Sequence, residues 1–382
     1  MPPFESAIQD MDSSACKPKI IAFYLPQFHP IQENSSWWGD GFTEWHNVAR
    51  ARPLFRGHTQ PKLPGELGFY DLRLERTRVD QAALAQQYGI FGFCYWHYWF
   101  DGRRLLETPI EQISLSGRPK FPFCLGWANE SWTGVWHGSP RSVLVAQTYS
   151  DGDADRHYDL LRKYFHDERY IKHQGKPLFY VYKPRLLPAD GAYLKRLRER
   201  ARLDGFPDLF ILGTWTPNPG GRFRTTVEIG LDGAVVTNIS GRETHSRTHW
   251  LDAISNKLMK VFGGGRGPIR ISYADAISTM LPSLKSFPFL AYNTVISNWD
   301  NTPRSGRRGL VLTGSTPKLF QSALEIAISN LRDVSLAESG HFIFLKSWNE
   351  WAEGNYIEPD QENGRGYLEA VKSALHVGQP RA

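Results

Sequence analysis

His341-Phe342-Ile343-Phe344-Leu345-Lys346-Ser347-Trp348-Asn349-Glu350-Trp351-Ala352-Glu353-Gly354 joins a buried strand to a reactive turn. Phe342 to Leu345 shows no polar alternation, which suits a strand covered on both faces, as in a parallel sheet. The segment that follows sets two carboxylates three residues apart among indoles. Carboxylic acids move protons at a glycosidic bond, and flat aromatic faces hold pyranose rings.

Seven further apolar runs precede this one: residues 20–24, 90–95, 121–126, 178–182, 210–213, 233–237 and 289–292. Helical patterns lie between most of them, at 74–88, 105–115, 153–165, 189–203, 273–281 and 316–331, with a last one at 367–375. The link between the fifth and sixth runs fits least well, because Thr216-Pro217-Asn218-Pro219-Gly220-Gly221 reads as loop. Eight strands alternating with helices predict an α/β chain folded as a (β/α)8 barrel, with a doubly wound sheet as the competing architecture. The expected layout is a tail over residues 1–18, one catalytic domain over 19–376 and a short tail over 377–382. At 382 residues such a single-domain barrel is of ordinary size.

A barrel concentrates its chemistry at the C-terminal ends of its strands. There the sequence places Tyr24, Gln27 and His29; Tyr95, Trp96 and His97; Trp127, Asn129 and Glu130; and Tyr182 with Lys183. Later strands add Thr214, Trp215, Asn238, Asn298, Trp299 and Asp300, then Trp348, Asn349, Glu350, Trp351 and Glu353. The long first loop contributes Trp37, Trp38, Asp40, Glu44 and Trp45; its acids fit either a cleft lining or a loop anchor. The chain holds 13 Trp, 16 Tyr and 22 Phe, and many of the indoles fall at these strand ends, including Trp99, Trp132 and Trp136, rather than being spread as core filler.

Glu350 and Glu353 are the candidate catalytic pair. If the turn after the last strand coils even briefly, residues i and i+3 share a face. Two neighbouring carboxyls cannot ionise independently, so one should hold its proton toward neutral pH and supply an acid beside a base. The plainer reading makes Glu353 a helix-start carboxylate and pairs Glu350 with Lys346. Glu130, between indoles, reads as a sugar-hydroxyl binder. His29 and His97 are weaker candidates, since a histidine beside aromatics is usually a satisfied hydrogen-bonding residue.

The net charge of +6 and pI near 9.1 permit anionic partners without selecting one. The basic residues sit in helices such as 194–200 that read as solvated faces, and no nucleic-acid motif accompanies them. Cys16, Cys94 and Cys124 have no metal-ligand spacing, and the last two read as small buried hydrophobes. The glycine-rich stretch 261–267 lacks the context of a phosphate loop and reads as a connector. Asp151-Gly152-Asp153-Ala154-Asp155 begins like a calcium loop but reads as a helix cap. No metal or cofactor is expected. With neither a signal peptide nor a membrane-length apolar run in the sequence, the expected location is cytoplasmic, with room for peripheral contact with a membrane or a lipid-linked glycan.

Five motifs, at 23–30, 38–45, 95–100, 127–130 and 348–354, resemble the WbsX proteins of bacterial surface-polysaccharide clusters, over residues 19–375. Those proteins are often labelled glycosyltransferases and are similar to glycoside hydrolase family 99, retaining endo-acting α-mannan hydrolases built on a (β/α)8 barrel. The family 99 motif Asn-Glu-Trp-His-Glu-Gly matches 349–354, with Ala352 in place of His. The resemblance implies that Glu350 deprotonates a sugar 2-hydroxyl, which attacks C1 to give a 1,2-anhydro sugar. It implies that Glu353 protonates the leaving oxygen and then activates water. The expected activity is therefore that of a glycosidase or transglycosidase on a surface polysaccharide such as O-antigen, lipopolysaccharide or capsule, or on its precursor. A sugar-nucleotide-dependent transferase and a non-catalytic glycan-binding barrel are the alternatives.

Overall fold

The computed structural model describes residues 17–134, 139–188, 190–216, 229–237, 267–332, 334 and 339–377. Asn238, Trp136, Cys16, the glycine-rich stretch up to residue 266 and the loop after Thr216 lie outside the described residues. Eight parallel strands form the body: β1 Lys19–Tyr24, β2 Ile90–Phe100, β3 Phe123–Trp127, β4 Lys176–Val181, β5 Phe210–Trp215, β6 Gly233–Val236, β7 Ala291–Ile296 and β8 Phe342–Lys346. They pair in chain order, and β1 pairs with both β2 and β8, so the sheet closes on itself. The barrel expected from the eight apolar runs is the observed fold, and the open doubly wound sheet is not.

The longer helices among the described residues are α1 Glu75–Gln87, α2 Thr108–Ser116, α3 Asp153–Phe165, α4 Ala192–Leu203, α5 Tyr273–Met280, α6 Pro317–Leu331 and α7 Gly366–Val377. α6 shows how the sequence dictates them. The Thr316 side chain accepts the Leu319 N–H at 3.2 Å, Pro317 opens the first turn, and Phe320, Ala323, Leu324, Ala327, Ile328 and Leu331 form one buried stripe. Truncating Phe320 in that stripe costs about 3–5 kcal/mol. The Asp151–Asp155 stretch does not cap α3 as expected. Gly152 holds the cap position, and buried Asp153 instead accepts the Trp99 indole N–H and the Tyr193 hydroxyl at 2.9 Å each.

Aromatic side chains plug the barrel. Phe23 stacks on Trp96 at 4.9 Å and 7° and touches Tyr180 and Phe344. Phe23, Trp96 and Tyr180 also line the space at the strand ends. Cys94 and Cys124 face each other across β2 and β3 as buried free thiols. Among the described residues, no helix is long and apolar enough to cross a membrane.

Candidate active site

A cavity of about 1120 Å³ opens at the C-terminal ends of the strands. Strand pleating decides which rim residues reach it, because successive side chains point to opposite faces. On the first strand and its extension Phe23, Leu25 and Gln27 line the cavity. Tyr24 points outward and donates to Gln81 at 2.5 Å. β2 runs further than its apolar core suggests, to Phe100, so Trp96-His97-Tyr98-Trp99 belongs to the strand and not to a loop. Trp96 and Tyr98 therefore face in. Tyr95, His97 and Trp99 face out, with His97 hydrogen-bonded to His157 of α3 at 3.0 Å and Trp99 stacked on the same ring.

The remaining predicted residues divide in the same way. Trp38, Glu130, Tyr182, Trp299, Glu350 and Glu353 line the cavity with Gln27 and Trp96. The others do not. Trp127 is buried against Tyr193 and His157. Asn129 bridges two loops, accepting the Lys183 N–H at 2.7 Å and donating to its carbonyl at 2.9 Å. Asn349 does the same for Leu25, at 2.7 and 3.0 Å. Trp45 donates to the Tyr70 carbonyl, Trp348 packs on Phe93, and Trp351 stacks on Tyr356. His29 is buried with its pKa pushed down to about 4, chiefly by burial, and His97 is pushed down to about 3 for the same reason. Both imidazoles are therefore neutral near pH 7. With Tyr24, Tyr95 and Glu44, these make eleven predicted positions outside the cavity lining.

Glu350 ends the last strand region, and Trp351–Glu353 form a single 3-10 turn. Three residues per turn bring positions i and i+3 into register, so both carboxyls face the cavity. Between them stands Arg304, whose Nη1 lies 2.7 Å from Glu353 Oε1 and 3.5 Å from Glu350 Oε1. Its Nε and Nη2 donate to Glu44, which is fully buried, at 3.2 and 3.0 Å. Arg304 escaped the sequence reading, as did its mounting. Asp300 accepts from His58, Gln60 and the Thr302 N–H and hydroxyl, which starts the short helix Thr302–Ser305 that presents Arg304.

The loops after β7 and β8 are then locked together. The Asp300 N–H donates to the Glu353 carbonyl at 2.6 Å. At Gly354, φ is +59° and a Cβ would meet Asp300 Cβ at 2.9 Å, so only glycine fits this crossing. Underneath, Glu358 accepts from the Trp351 indole at 2.6 Å, Gln81 at 2.6 Å and Tyr70 at 2.8 Å. Burial pushes Glu358 up to about 7 despite those donors.

Glu350 is also pushed up to about 7. Burial is the first cause and the neighbouring Glu353 charge the second; Lys346 and Arg304 pull the other way and lose. A hydrogen-bonding contact with Glu353 adds a smaller upward push to Glu350. Across the cavity Glu130 is raised by burial, with Lys183 Nζ 3.8 Å away. Among the described residues no group of three or more His, Cys, Asp or Glu is placed to hold a metal ion.

Residues 20–371 match the family model described as Glycosyltransferase WbsX. The chain belongs to the WbsX family. Two curated relatives, both described as uncharacterized protein WxcX, come from two strains of Xanthomonas campestris pv. campestris. Each is 37% identical over 360 residues, covering 93% of this chain and 49% of the relative. This WbsX-family chain thus spans about half the length of the curated relatives it matches. Its fold is shared with a glycoside hydrolase-like protein at TM-score 0.57 and 15% identity, covering 98% of this chain and 96% of the other. It is shared too with the GH99 endo-alpha-mannosidase from Bacteroides thetaiotaomicron at TM-score 0.54 and 16% identity, covering 94% and 97%.

Proposed function

We propose that this WbsX-family protein breaks or transfers glycosidic bonds of a bacterial surface polysaccharide or its precursor, as a retaining endo-glycosidase or transglycosidase. The observation that carries the reading is the carboxyl pair Glu350 and Glu353, held 3.5 and 2.7 Å from one Arg304 nitrogen at the wall of a cavity at the strand ends, with Glu350 pushed up to about 7. The fold neighbours with GH99 names agree with it. The cavity slightly exceeds the roughly 300–1,000 Å³ of ordinary small-molecule sites, which suits a stretch of chain rather than one sugar.

Glu350 takes the base role. A sugar hydroxyl is a very weak acid, and a carboxylate whose proton affinity has been raised to near neutrality is a better base toward it while still ionising at working pH. Ionised Glu350 removes the 2-hydroxyl proton; O2 bonds to C1 as the bond from C1 to the leaving oxygen breaks. The Glu353 proton goes to that oxygen. In the second half, the Glu353 carboxylate deprotonates water, water oxygen bonds to C1, the C1–O2 bond opens, and Glu350 returns its proton to O2. Replacing water with a sugar hydroxyl turns hydrolysis into transfer, the outcome that the family's printed name favours.

Incubation of wild type and Glu353→Gln with the surface glycan of the source cell, followed by mass spectrometry of released oligosaccharides, tests this. Wild type should release fragments, and the variant should be slower by about 10²–10⁴-fold, the usual worth of a positioned general acid. Equal release by the variant removes Glu353 from the chemistry. No release by wild type, with turnover of a nucleotide sugar, moves the protein to donor-dependent transfer.

A further inference from the structure

Lys346 stands at the end of β8 and lines the cavity, yet only 9% of it is exposed. Among the described residues no carboxylate lies within 4.0 Å of its ammonium and no hydrogen bond from it is formed; its close neighbour is the Trp299 ring, 5.0 Å from Nζ. A buried ammonium with no carboxylate in direct contact is costly, and contact with an indole face offsets only part of that cost.

The surrounding charges show where an anion would sit. Arg304 is already committed to Glu44, Glu350 and Glu353. Lys346 shares the cavity lining with Glu350 and Glu130, and its charge lowers the proton affinity of both. Four cations, Lys183, Arg185, Arg304 and Lys346, line the cavity against three carboxyls, Glu130, Glu350 and Glu353. Trp299 lines the cavity with the ammonium over its ring, so a sugar bound against this part of the wall carries its substituent toward Lys346.

We propose that Lys346 receives a negatively charged group of the glycan, a carboxylate or a phosphate on a sugar next to the scissile bond, so that the substrate is an acidic polysaccharide. This rests on the glycan-acting reading of the same cavity. A compact ammonium suits either oxyanion, and the bond it forms is charge-assisted.

Wild type, Lys346→Met and Lys346→Arg are titrated by ligand-observed NMR with methyl glucuronoside against methyl glucoside, and with mannose 6-phosphate against mannose. Wild type should prefer at least one charged sugar about tenfold, the return on one charge-assisted hydrogen bond. Lys346→Met should lose the preference, Lys346→Arg should keep most of it, and melting curves should show both variants folded. Preference for the glucuronoside assigns a carboxylate; preference for the phosphate assigns a phosphoryl group. The proposal is overturned if wild type shows no charge preference, including no binding of either kind, or if the preference survives in Lys346→Met. A shifted pH profile of glycan cleavage in Lys346→Met without any change in charge preference makes Lys346 a tuner of Glu350 and also overturns it. Because binding is read without turnover, a protein that prefers acidic sugars but cleaves nothing keeps the receptor and loses the glycosidase reading.

Discussion

On the β7–β8 side of the cavity Glu44 is fully buried, Glu350 is 8% exposed, and one guanidinium touches three carboxylates at 2.7 to 3.5 Å. Across the cavity Glu130 and Lys183 face each other at 3.8 Å with 44% and 41% of their side chains exposed. Burial sets how much each charge matters. In the dry flank a removed partner leaves its neighbours uncompensated, whereas in the wet flank water takes its place. The first flank suits proton transfer, which needs fixed geometry and a shifted proton affinity. The second suits holding a chain that must slide in and leave.

The sharpest way to break this contrast is Arg304→Met. It strands the Glu44 charge and removes the cation over the reactive pair, and removing one member of a buried ion pair costs about 3–5 kcal/mol. We expect a loss of that size at pH 8, read from urea or thermal unfolding, with activity abolished. The loss should shrink at pH 6, where the stranded carboxyls, already raised by burial, take up protons instead of staying ionised. Arg304→Lys should recover only part, because a point ammonium cannot reach three acids at once. A variant as stable as wild type at pH 8 would show that the dry flank does not depend on its cation.

Glu350→Gln sharpens the comparison from the other direction. Glu350 has an ordinary value near 4.5 and is raised to about 7 in the fold, so the folded protein binds the extra proton. Stability from this group is fully present below about 4.5, falls as pH rises to about 7, and stays low above it. The variant has no proton to lose. It should therefore melt higher than wild type at pH 8, by about 1–3 kcal/mol, and show little difference near pH 4.5. It should also be inactive, a trade of function for stability. In wild type the same group predicts that kcat/KM climbs as pH rises toward about 7, where the base ionises. Glu350→Gln melting lower than wild type at pH 8 would contradict the assignment.

The contrast also explains what could be read in advance. All eight barrel strands were legible because parallel strands buried on both faces leave unbroken apolar runs, and the Glu350 and Glu353 spacing was legible because a tight turn repeats every three residues. Which aromatic faced the cavity was not taken from those runs, although the signal was present. Counting by two from Phe23 puts Leu25 and Gln27 on one side and Tyr24 on the other; counting by two from Trp96 adds Tyr98 and rejects Tyr95 and His97. Arg304 hid beside Arg307 and Arg308 in a stretch that looks solvated, and Glu358 looked like one more loop acid. Their roles depend on contacts 260 residues apart for Arg304 with Glu44 and 277 for Glu358 with Gln81. No local pattern carries contacts of that range.

Glu130→Gln and Lys183→Met should give the smallest effects. Glu130 is raised by burial and relieved first by Lys183, but both side chains are two-fifths exposed, so water screens whatever the pair contributes. Stability should stay within about 0.5 kcal/mol of wild type in either variant. A wall that binds sugar hydroxyls without joining the chemistry loses ground-state and transition-state contacts alike, which raises KM and leaves kcat close to wild type. Kinetics on the cleaved glycan separate the two cases. A large fall in kcat for Glu130→Gln would mean that the open flank also handles protons, and the division of labour between the two walls would have to be redrawn around three carboxyls instead of two.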